Sequence, residues 1–209
     1  MVKKFKKNIK LYNDDIPKNL NLGTSIAIDT ETMGLNINND RLCLLQISTV
    51  DGDCHLIKFS KGKYNAPNLI KILKNKSILK IFHFARFDVS VIKKNLKVLC
   101  EPIYCTKIAS KIARTFTDRH GLKDLCKNLL KVNIDKESQI SDWGQNELTE
   151  KQIHYAANDV LYLHEIKVKL DKILEREGRQ HLAKACFDFL PTRADFDLIG
   201  WKDKDVFQH

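Results

Sequence analysis

The sequence predicts an α/β fold in which a mixed β-sheet is flanked by α-helices, within a single domain. Three observations predict it. Short apolar runs rich in β-branched residues alternate with segments of helical periodicity, as in a sheet covered by helices. The first strong runs follow one another as in a hairpin, which favours a mixed sheet over a purely parallel one. Finally, the 209 residues contain no internal repeat and no Gly/Ser-rich linker, so they fit one domain.

Residues 1–20 are expected to be an N-terminal arm, mobile or partly docked, that ends near Pro17. The strands follow, each an apolar run bounded by polar or glycine-containing turns such as 36–40 and 51–52. They are predicted at residues 25–28, 41–49, 54–59, 79–84 and, more briefly, within 98–104.

Helical periodicity dominates the second half of the chain. Helices are predicted at residues 68–73, 88–96, 106–114, 122–130, 150–177 and from 179 to about 189. This pattern divides the chain into the arm 1–20, a main domain 21–178 and a C-terminal helical extension 179–209. The extension holds five aromatic residues, so we expect it to pack on the core or on a neighbouring subunit.

The composition limits the possible partners. A formal net charge of +10 and a sequence pI near 9.3 favour a polyanion, nucleic acid before membrane. No stretch approaches the ~18 consecutive apolar residues that span a bilayer, and the basic start has no apolar segment behind it. The six cysteines never adopt C-x-x-C spacing, which predicts buried, reduced thiols in a cytoplasmic protein.

Two acidic residues, Asp29 and Glu31, directly follow the first apolar strand. Alternate strand residues point to the same side, so both carboxylates should project together. Adjacent anions raise each other's pKa, and a cation between them relieves the repulsion. Oxygen ligands suit Mg²⁺ or Mn²⁺. An isolated D-x-E sequence, however, is more often a solvated loop.

Two further carboxylates can reach the same place. Asp88 follows the strand at 79–84 and opens a helix, where it could also simply stabilise the helix dipole. Asp159 lies inside a predicted helix, four residues after Tyr155 and therefore on the same helical face. The apolar residues around Asp159 make its burial costly unless it is paired or binds a metal.

The order Asp29-x-Glu31, Asp88, Tyr155-x-x-x-Asp159 resembles the DEDDy branch of the DnaQ-like 3′→5′ exonucleases, which have a ribonuclease H-like sheet. The segment from Ser141-Asp-Trp143 to Tyr155 is similar to ribonuclease D. Other segments resemble a shorter subgroup, the NrnC type of oligoribonuclease. These segments are 29–35, 81–88, 105–110, 117–125 and the tail from 189 to 209.

The resemblance implies phosphodiester hydrolysis with two divalent metal ions, Mg²⁺ or Mn²⁺. It implies that Asp29 bridges both ions, that Glu31 and Asp159 bind the ion on the nucleophile side, and that Asp88 holds the other mainly through water. Tyr155 would orient or help deprotonate the attacking water. Since a phenol with a pKa near ~10 is a weak base, orientation is the favoured role.

Candidate substrate contacts surround these acids: Thr30, Met33, Gly34, Leu35, His83, Arg119, His120 and Tyr155. Leu35 would insert against the last bases, unless it is a core leucine. His83 would lie near the scissile phosphate or cap the strand. Arg119 and His120 belong to a basic loop that binds phosphate, in this subunit or a neighbour, or is merely solvated. Trp143 is expected to pack against the helix of Tyr155.

The leading hypothesis is an enzyme, a 3′→5′ exoribonuclease that acts on short RNA with a free 3′ end, with DNA ends as a second candidate substrate. The short C-terminal extension argues against the first alternative, a ribonuclease D-like enzyme that trims tRNA 3′ ends. The second alternative is a non-catalytic nucleic-acid-binding module. The resemblance also implies a homo-oligomer, with a ring-like octamer as the candidate assembly. The lysine cluster at 3–7 is expected to add diffuse electrostatic attraction.

Overall fold

The computed structural model describes residues 8–134 and 141–208. Six strands form one mixed sheet in the order β1-β4-β3-β2-β5-β6. The strands are β1 (Asn8–Asn13), β2 (Ser25–Thr32), β3 (Leu42–Thr49), β4 (Asp53–Lys58), β5 (Leu79–Phe82) and β6 (Ile103–Cys105). Strand β3 pairs antiparallel with both β2 and β4, whereas the pairs β1/β4, β2/β5 and β5/β6 are parallel. The prediction of a mixed α/β sheet is confirmed.

The helices are α1 (Pro67–Lys74), α2 (Ala85–Leu96), α3 (Thr106–Ala113), α4 (Leu122–Leu125), α5 (Glu150–Leu161), α6 (Leu163–Arg176) and α7 (Gln180–Leu198). A π-helical turn, Cys126–Leu130, continues α4. Helix α5 packs on β2, β3 and β4, and α2 packs on the central strands and on α7. The core therefore lies between the sheet and its helices. None of the helices in residues 8–134 and 141–208 has the length and apolarity needed to cross a membrane.

Strand β1 is the main element that the sequence analysis did not predict. It lies inside the expected arm, runs parallel to β4 and forms one edge of the sheet. Its side chains are exposed or half-buried, because an edge strand packs little of its surface. The difference between apolar and polar positions by which a strand is recognised in a sequence is therefore weak in β1. The basic cluster at 3–7 lies outside the described residues.

The single helix predicted at 150–177 is wrong, since α5 ends at Leu161 and α6 starts at Leu163. The Ser48 hydroxyl on β3 donates to the carbonyl of Val160 at 3.0 Å, which ties the end of α5 to the sheet. No glycine or proline marks this break. Conversely, α7 continues through Pro191 to Leu198, beyond the predicted end near 189.

All six cysteines are free thiols, and five are buried as predicted. The expectation of burial is wrong for Cys186, which is exposed on α7. The apolar sequence around it fits a buried residue equally well, and only the packing of α7 distinguishes the two cases.

Candidate active site

The acidic pair lies inside strand β2, which extends to Thr32 and so includes both Asp29 and Glu31. Their alternation along the strand places the two carboxylates on one side of the sheet, as the sequence predicts. Helix α5 packs over this part of the sheet and brings Asp159 to them. The carboxylate oxygens of Asp29, Glu31 and Asp159 lie within 4.8 Å of one another.

Asp88 reaches the same cluster from the first turn of α2 and is almost fully buried. The Thr30 hydroxyl donates to Asp88 Oδ1 at 2.6 Å, so the side chain of Thr30 holds this carboxylate between β2 and α2. Asp88 is not one of the three residues whose ligand oxygens lie within 4.8 Å of one another. Backbone N–H groups of Thr30 and of Asp88 itself also hydrogen-bond this carboxylate.

The four acids lie at short range with little positive charge to offset them. Burial, and then Asp88, Asp159 and Glu31 in turn, raise the pKa of Asp29 well above its usual value. Burial and Asp159 raise the pKa of Glu31 to about 9. Burial raises the pKa of Asp88 to about 7, although the hydrogen bond from Thr30 opposes the rise. An all-oxygen donor set of this charge fits divalent Mg²⁺ or Mn²⁺.

Tyr155 lies one helical turn before Asp159 on α5, and its hydroxyl is hydrogen-bonded to the Asp159 carboxylate. Burial and the nearby carboxylates of Asp159 and Glu31 raise the pKa of the phenol further above its usual value. The phenol is therefore protonated at neutral pH and acts as a donor. Trp143 is buried and packs on the Tyr155 ring with centroids 6.1 Å apart, in agreement with its expected role.

The start of α5 is fixed by a capping box in which the Thr149 side chain accepts from the backbone N–H of Gln152. The Gln152 amide also donates to the Ser141 hydroxyl at 2.8 Å and to the Asp142 carbonyl at 3.1 Å. These bonds hold the segment that carries Trp143 against the helix that carries Tyr155 and Asp159.

The carboxylates face a cleft of about 780 Å³. Of the expected substrate contacts, Thr30, Met33, Gly34, Leu35, His83 and Tyr155 line it. Leu35 is 80% exposed and Met33 is 52% exposed, so neither is a core residue. Two large apolar side chains therefore stand at the mouth of an acidic cleft, where exposure is costly unless something covers them.

The turn after β2 is compact. A Cβ atom on Gly34 would lie 2.5 Å from Asp40 Oδ2, so a larger residue here would have to displace the Asp40 side chain. Asp40 Oδ2 also accepts from the backbone N–H of Asn36 at 2.8 Å. A Cβ atom on Gly144 would lie only 2.2 Å from the sulfur of Met33. These contacts pack the turn closely on both sides of Leu35.

Arg119 and His120 are not among the residues that line this cleft. The His120 ring is nearly buried, and its Nδ1 lies 2.9 Å from the Ser110 hydroxyl. Arg119 is exposed, and its carbonyl accepts from the Arg114 guanidinium at 3.1 Å. Their proposed phosphate contacts stay a prediction. His83 does line the cleft, and its Nδ1 lies 2.9 Å from the Thr106 hydroxyl.

Sequence reasoning missed several residues at the site. Gln46, on β3, is completely buried, and its amide donates to Asp29 Oδ2 at 3.4 Å. A lone amide inside the apolar run 42–47 was the available signal. Phe84, Phe87 and Lys107 line the cleft, with the Lys107 ammonium 4.5 Å from the centre of the Phe84 ring. Nothing in their spacing singles them out.

A family model described as 3′-5′ exonuclease matches residues 10–175. The chain belongs to this 3′-5′ exonuclease family. The family assignment made from the DEDDy pattern is thereby confirmed, as is the ribonuclease H-like exonuclease fold. The chain is 31% identical over 159 residues to ribonuclease D of Jannaschia sp., a match that covers 75% of this chain and 41% of that protein. It thus spans less than half the length of the curated relatives it matches.

Among solved structures, Brucella melitensis NrnC bound to pGG is 50% identical, with a TM-score of 0.94 and coverage of 98% of this chain and 100% of that one. Its structure with bound Mg²⁺ is likewise 50% identical, with a TM-score of 0.93 and coverage of 97% and 99%. Escherichia coli RNase D is more distant, at 27% identity and a TM-score of 0.72, with coverage of 82% and 45%.

Proposed function

We propose that this chain is a metal-dependent 3′→5′ exoribonuclease that hydrolyses very short RNA to nucleoside 5′-monophosphates. The observation that carries the proposal is the convergence of three carboxylates within 4.8 Å at a cleft of about 780 Å³. That volume is in the range of small-ligand pockets, ~300–1,000 Å³. The pGG dinucleotide in the similar Brucella NrnC supports a short substrate.

Asp29, Glu31, Asp159 and Asp88 would hold two divalent ions, Mg²⁺ or Mn²⁺. The Mg²⁺ bound in Brucella NrnC supports this assignment. When bound, the ions would lower the pKa of the attacking water and stabilise the charge of the scissile phosphate. The Tyr155 hydroxyl, held as a donor by Asp159, would orient the water rather than remove its proton.

The turn after β2 would receive the 3′ end of the substrate. The apolar side chains of Leu35 and Met33 are exposed beside the acids, so they can cover base and sugar surfaces. Gly34 and the backbone of Thr30 would let the terminal sugar approach closely. His83 would lie near the scissile phosphate. Arg119 and His120 would contact phosphates of the RNA farther from its 3′ end, in this subunit or in a neighbouring one.

We further propose a cytoplasmic homo-oligomer, with an octamer as the candidate assembly, in which 21–178 catalyses and 179–209 makes subunit contacts. Exposed apolar side chains support this arrangement, among them Phe207 at 73% and Phe116 at 80%. In the tail, the rings of Phe189 and Phe207 pack with centroids 5.9 Å apart. Sedimentation analysis should give a mass several times the 24.2 kDa of the chain. A monomer at micromolar concentration would contradict the proposal.

A time course with 5′-labelled RNAs of two to about twenty nucleotides, with Mg²⁺ or Mn²⁺, tests the function. We expect dinucleotides to be cleared far faster than longer chains, and Asp159→Asn to abolish the reaction. Matched DNA oligonucleotides show whether DNA ends are substrates. Uniform laddering of every length would identify a general exonuclease. Efficient trimming of a tRNA precursor would instead favour the ribonuclease D-like alternative, and binding without hydrolysis would favour a non-catalytic module.

A further inference from the structure

Gln46 lies in the middle of strand β3, directly opposite Asp29 in the antiparallel pair with β2. Opposed residues of an antiparallel pair share a face of the sheet, so the two side chains lie on the same side. Ser48, two residues on and on the same face, donates to the Val160 carbonyl of α5. Gln46 is therefore enclosed between the strand of Asp29 and the helix of Asp159.

The contacts of Gln46 are unusual for a buried amide. Its Nε2 donates to Asp29 Oδ2 at 3.4 Å, and a hydrogen bond from the same side chain reaches Glu31. Its Oε1 has no hydrogen-bond partner among the described residues. Leaving a buried acceptor unpaired is destabilising, and an apolar side chain would pack in this strand without that cost. The amide is thus poorly explained by stability alone.

We propose that Gln46 is a positioning residue of the metal site, whose amide N–H groups orient the Asp29 and Glu31 carboxylates to receive divalent cations. The argument is geometric. The amide approaches both carboxylates from the neighbouring strand, on the side covered by α5, and its own position is fixed by the strand register. Groups that hydrogen-bond to metal-binding carboxylates typically contribute a factor of about 10 to 100 in metal affinity or activity.

This inference rests on the proposed function, because it assumes that the acids bind metal. Titration calorimetry with Mn²⁺ alone tests it without RNA. We expect Gln46→Met and Gln46→Leu each to raise the Kd for Mn²⁺ at least about tenfold. The concentration of Mn²⁺ that gives half-maximal dinucleotide hydrolysis should rise in parallel, while the KM for the dinucleotide at saturating Mn²⁺ changes little.

Tyr64→Phe is the matched control. The Tyr64 hydroxyl donates at 3.0 Å to the carbonyl of Leu42, which lies on β3 as Gln46 does. Tyr64 is not among the residues that line the cleft. Tyr64→Phe should lower the urea midpoint without changing the Kd for Mn²⁺. An unchanged Kd in a folded Gln46 variant would overturn the positioning role while leaving the proposed function intact. If the wild-type protein bound no Mn²⁺, both would fail. Two different apolar replacements of Gln46 are measured, so that the test can be completed even if one variant does not fold.

Discussion

Among the described residues, buried aspartates lie in two places, Asp88 at the cleft and Asp197 at the end of α7, and the negative charge is offset differently in each. At the cleft, Asp29, Glu31, Asp88 and Asp159 crowd together, and burial with mutual repulsion raises the pKa of the first three. At the C-terminal end of α7, Asp197 is 1% exposed and is held by two arginines. At the cleft the crowding of carboxylates raises their pKa, whereas at the end of α7 two arginines offset the charge of Asp197.

The arginine pair also fastens the tail. Arg86 binds both Asp197 oxygens, at 2.8 and 2.7 Å, and Arg193 adds a third bond at 2.9 Å. Both guanidinium groups also donate to the Lys202 carbonyl. Arg86 is two residues before Asp88, so the clasp connects the tail to the helix that carries a site carboxylate. The ion pairs of Asp197 therefore hold the tail to the rest of the fold.

The largest expected effect is on activity, from Asp29→Asn. Losing the central carboxylate removes several kcal/mol of transition-state stabilisation, so kcat/KM should fall at least about 10³-fold. Without metal, the same variant should unfold at a urea concentration equal to or above that of the wild type, because repulsion is relieved. Hydrolysis and urea unfolding with EDTA measure the two effects. A lower metal-free midpoint would show that Asp29 is a structural residue.

The opposite pattern is expected for Asp197→Ala. Removing the carboxylate leaves two arginines without their partner, which should cost about 2 to 3 kcal/mol of unfolding free energy. This is below the ~3–5 kcal/mol for fully buried pairs because Arg86 is about one-third exposed. Urea unfolding measures it. Asp188→Ala, which breaks the exposed pair with Lys184 on the same helix, should change little. Equal losses in both variants would contradict the clasp.

Comparing Glu31→Gln with the wild type should isolate the contribution of Glu31 to the pH dependence of stability. In the folded, metal-free protein the pKa of Glu31 is raised to about 9 from 4.5, so its protonated form favours folding. That contribution is complete below about pH 4.5 and is lost as the pH rises toward 9. Without metal, the variant should therefore gain at least about 1 kcal/mol of stability relative to wild type between pH 5 and 8.

Urea unfolding in EDTA at several pH values measures this difference. Comparison with the variant is needed because burial lowers the pKa of His55 and His164, which act in the opposite sense. Saturating Mn²⁺ should reverse the result and make the wild type the more stable protein at pH 8. A constant difference from pH 5 to 8 would show that Glu31 is not strained in the fold.

The smallest effect is expected from Arg193→Lys. Lysine keeps the charge beside Asp197 but cannot reproduce the planar donor set that also reaches the carbonyls of Trp201 and Lys202. We expect a loss of about 1 kcal/mol in urea unfolding and no change in Mn²⁺ affinity. A loss as large as that of Asp197→Ala would show that the guanidinium geometry, and not the charge, holds the tail.

The sequence predicted elements well where the local pattern was strong and poorly where packing decides. Residues 25–28 were predicted as a strand because they are apolar and β-branched, but β2 continues to Thr32 because pairing with β3 extends it. Strand β1 was missed because an edge strand has little apolar contrast. The break at Tyr162 was missed because Ser48, distant in sequence, binds the end of α5.

For the site, the sequence by itself determined the five motif positions, Asp29, Glu31, Asp88, Tyr155 and Asp159. Local geometry places Asp29 with Glu31 on one side of a strand and Tyr155 with Asp159 on one helical face, and the resemblance to the DEDDy family linked these pairs with Asp88. Tertiary structure decided what surrounds them: the buried amide of Gln46, the bond from Thr30 to Asp88, and the position of His120 against Ser110 rather than in the lining of the cleft. These depend on strand register and helix packing between residues far apart in the chain, which no local pattern encodes.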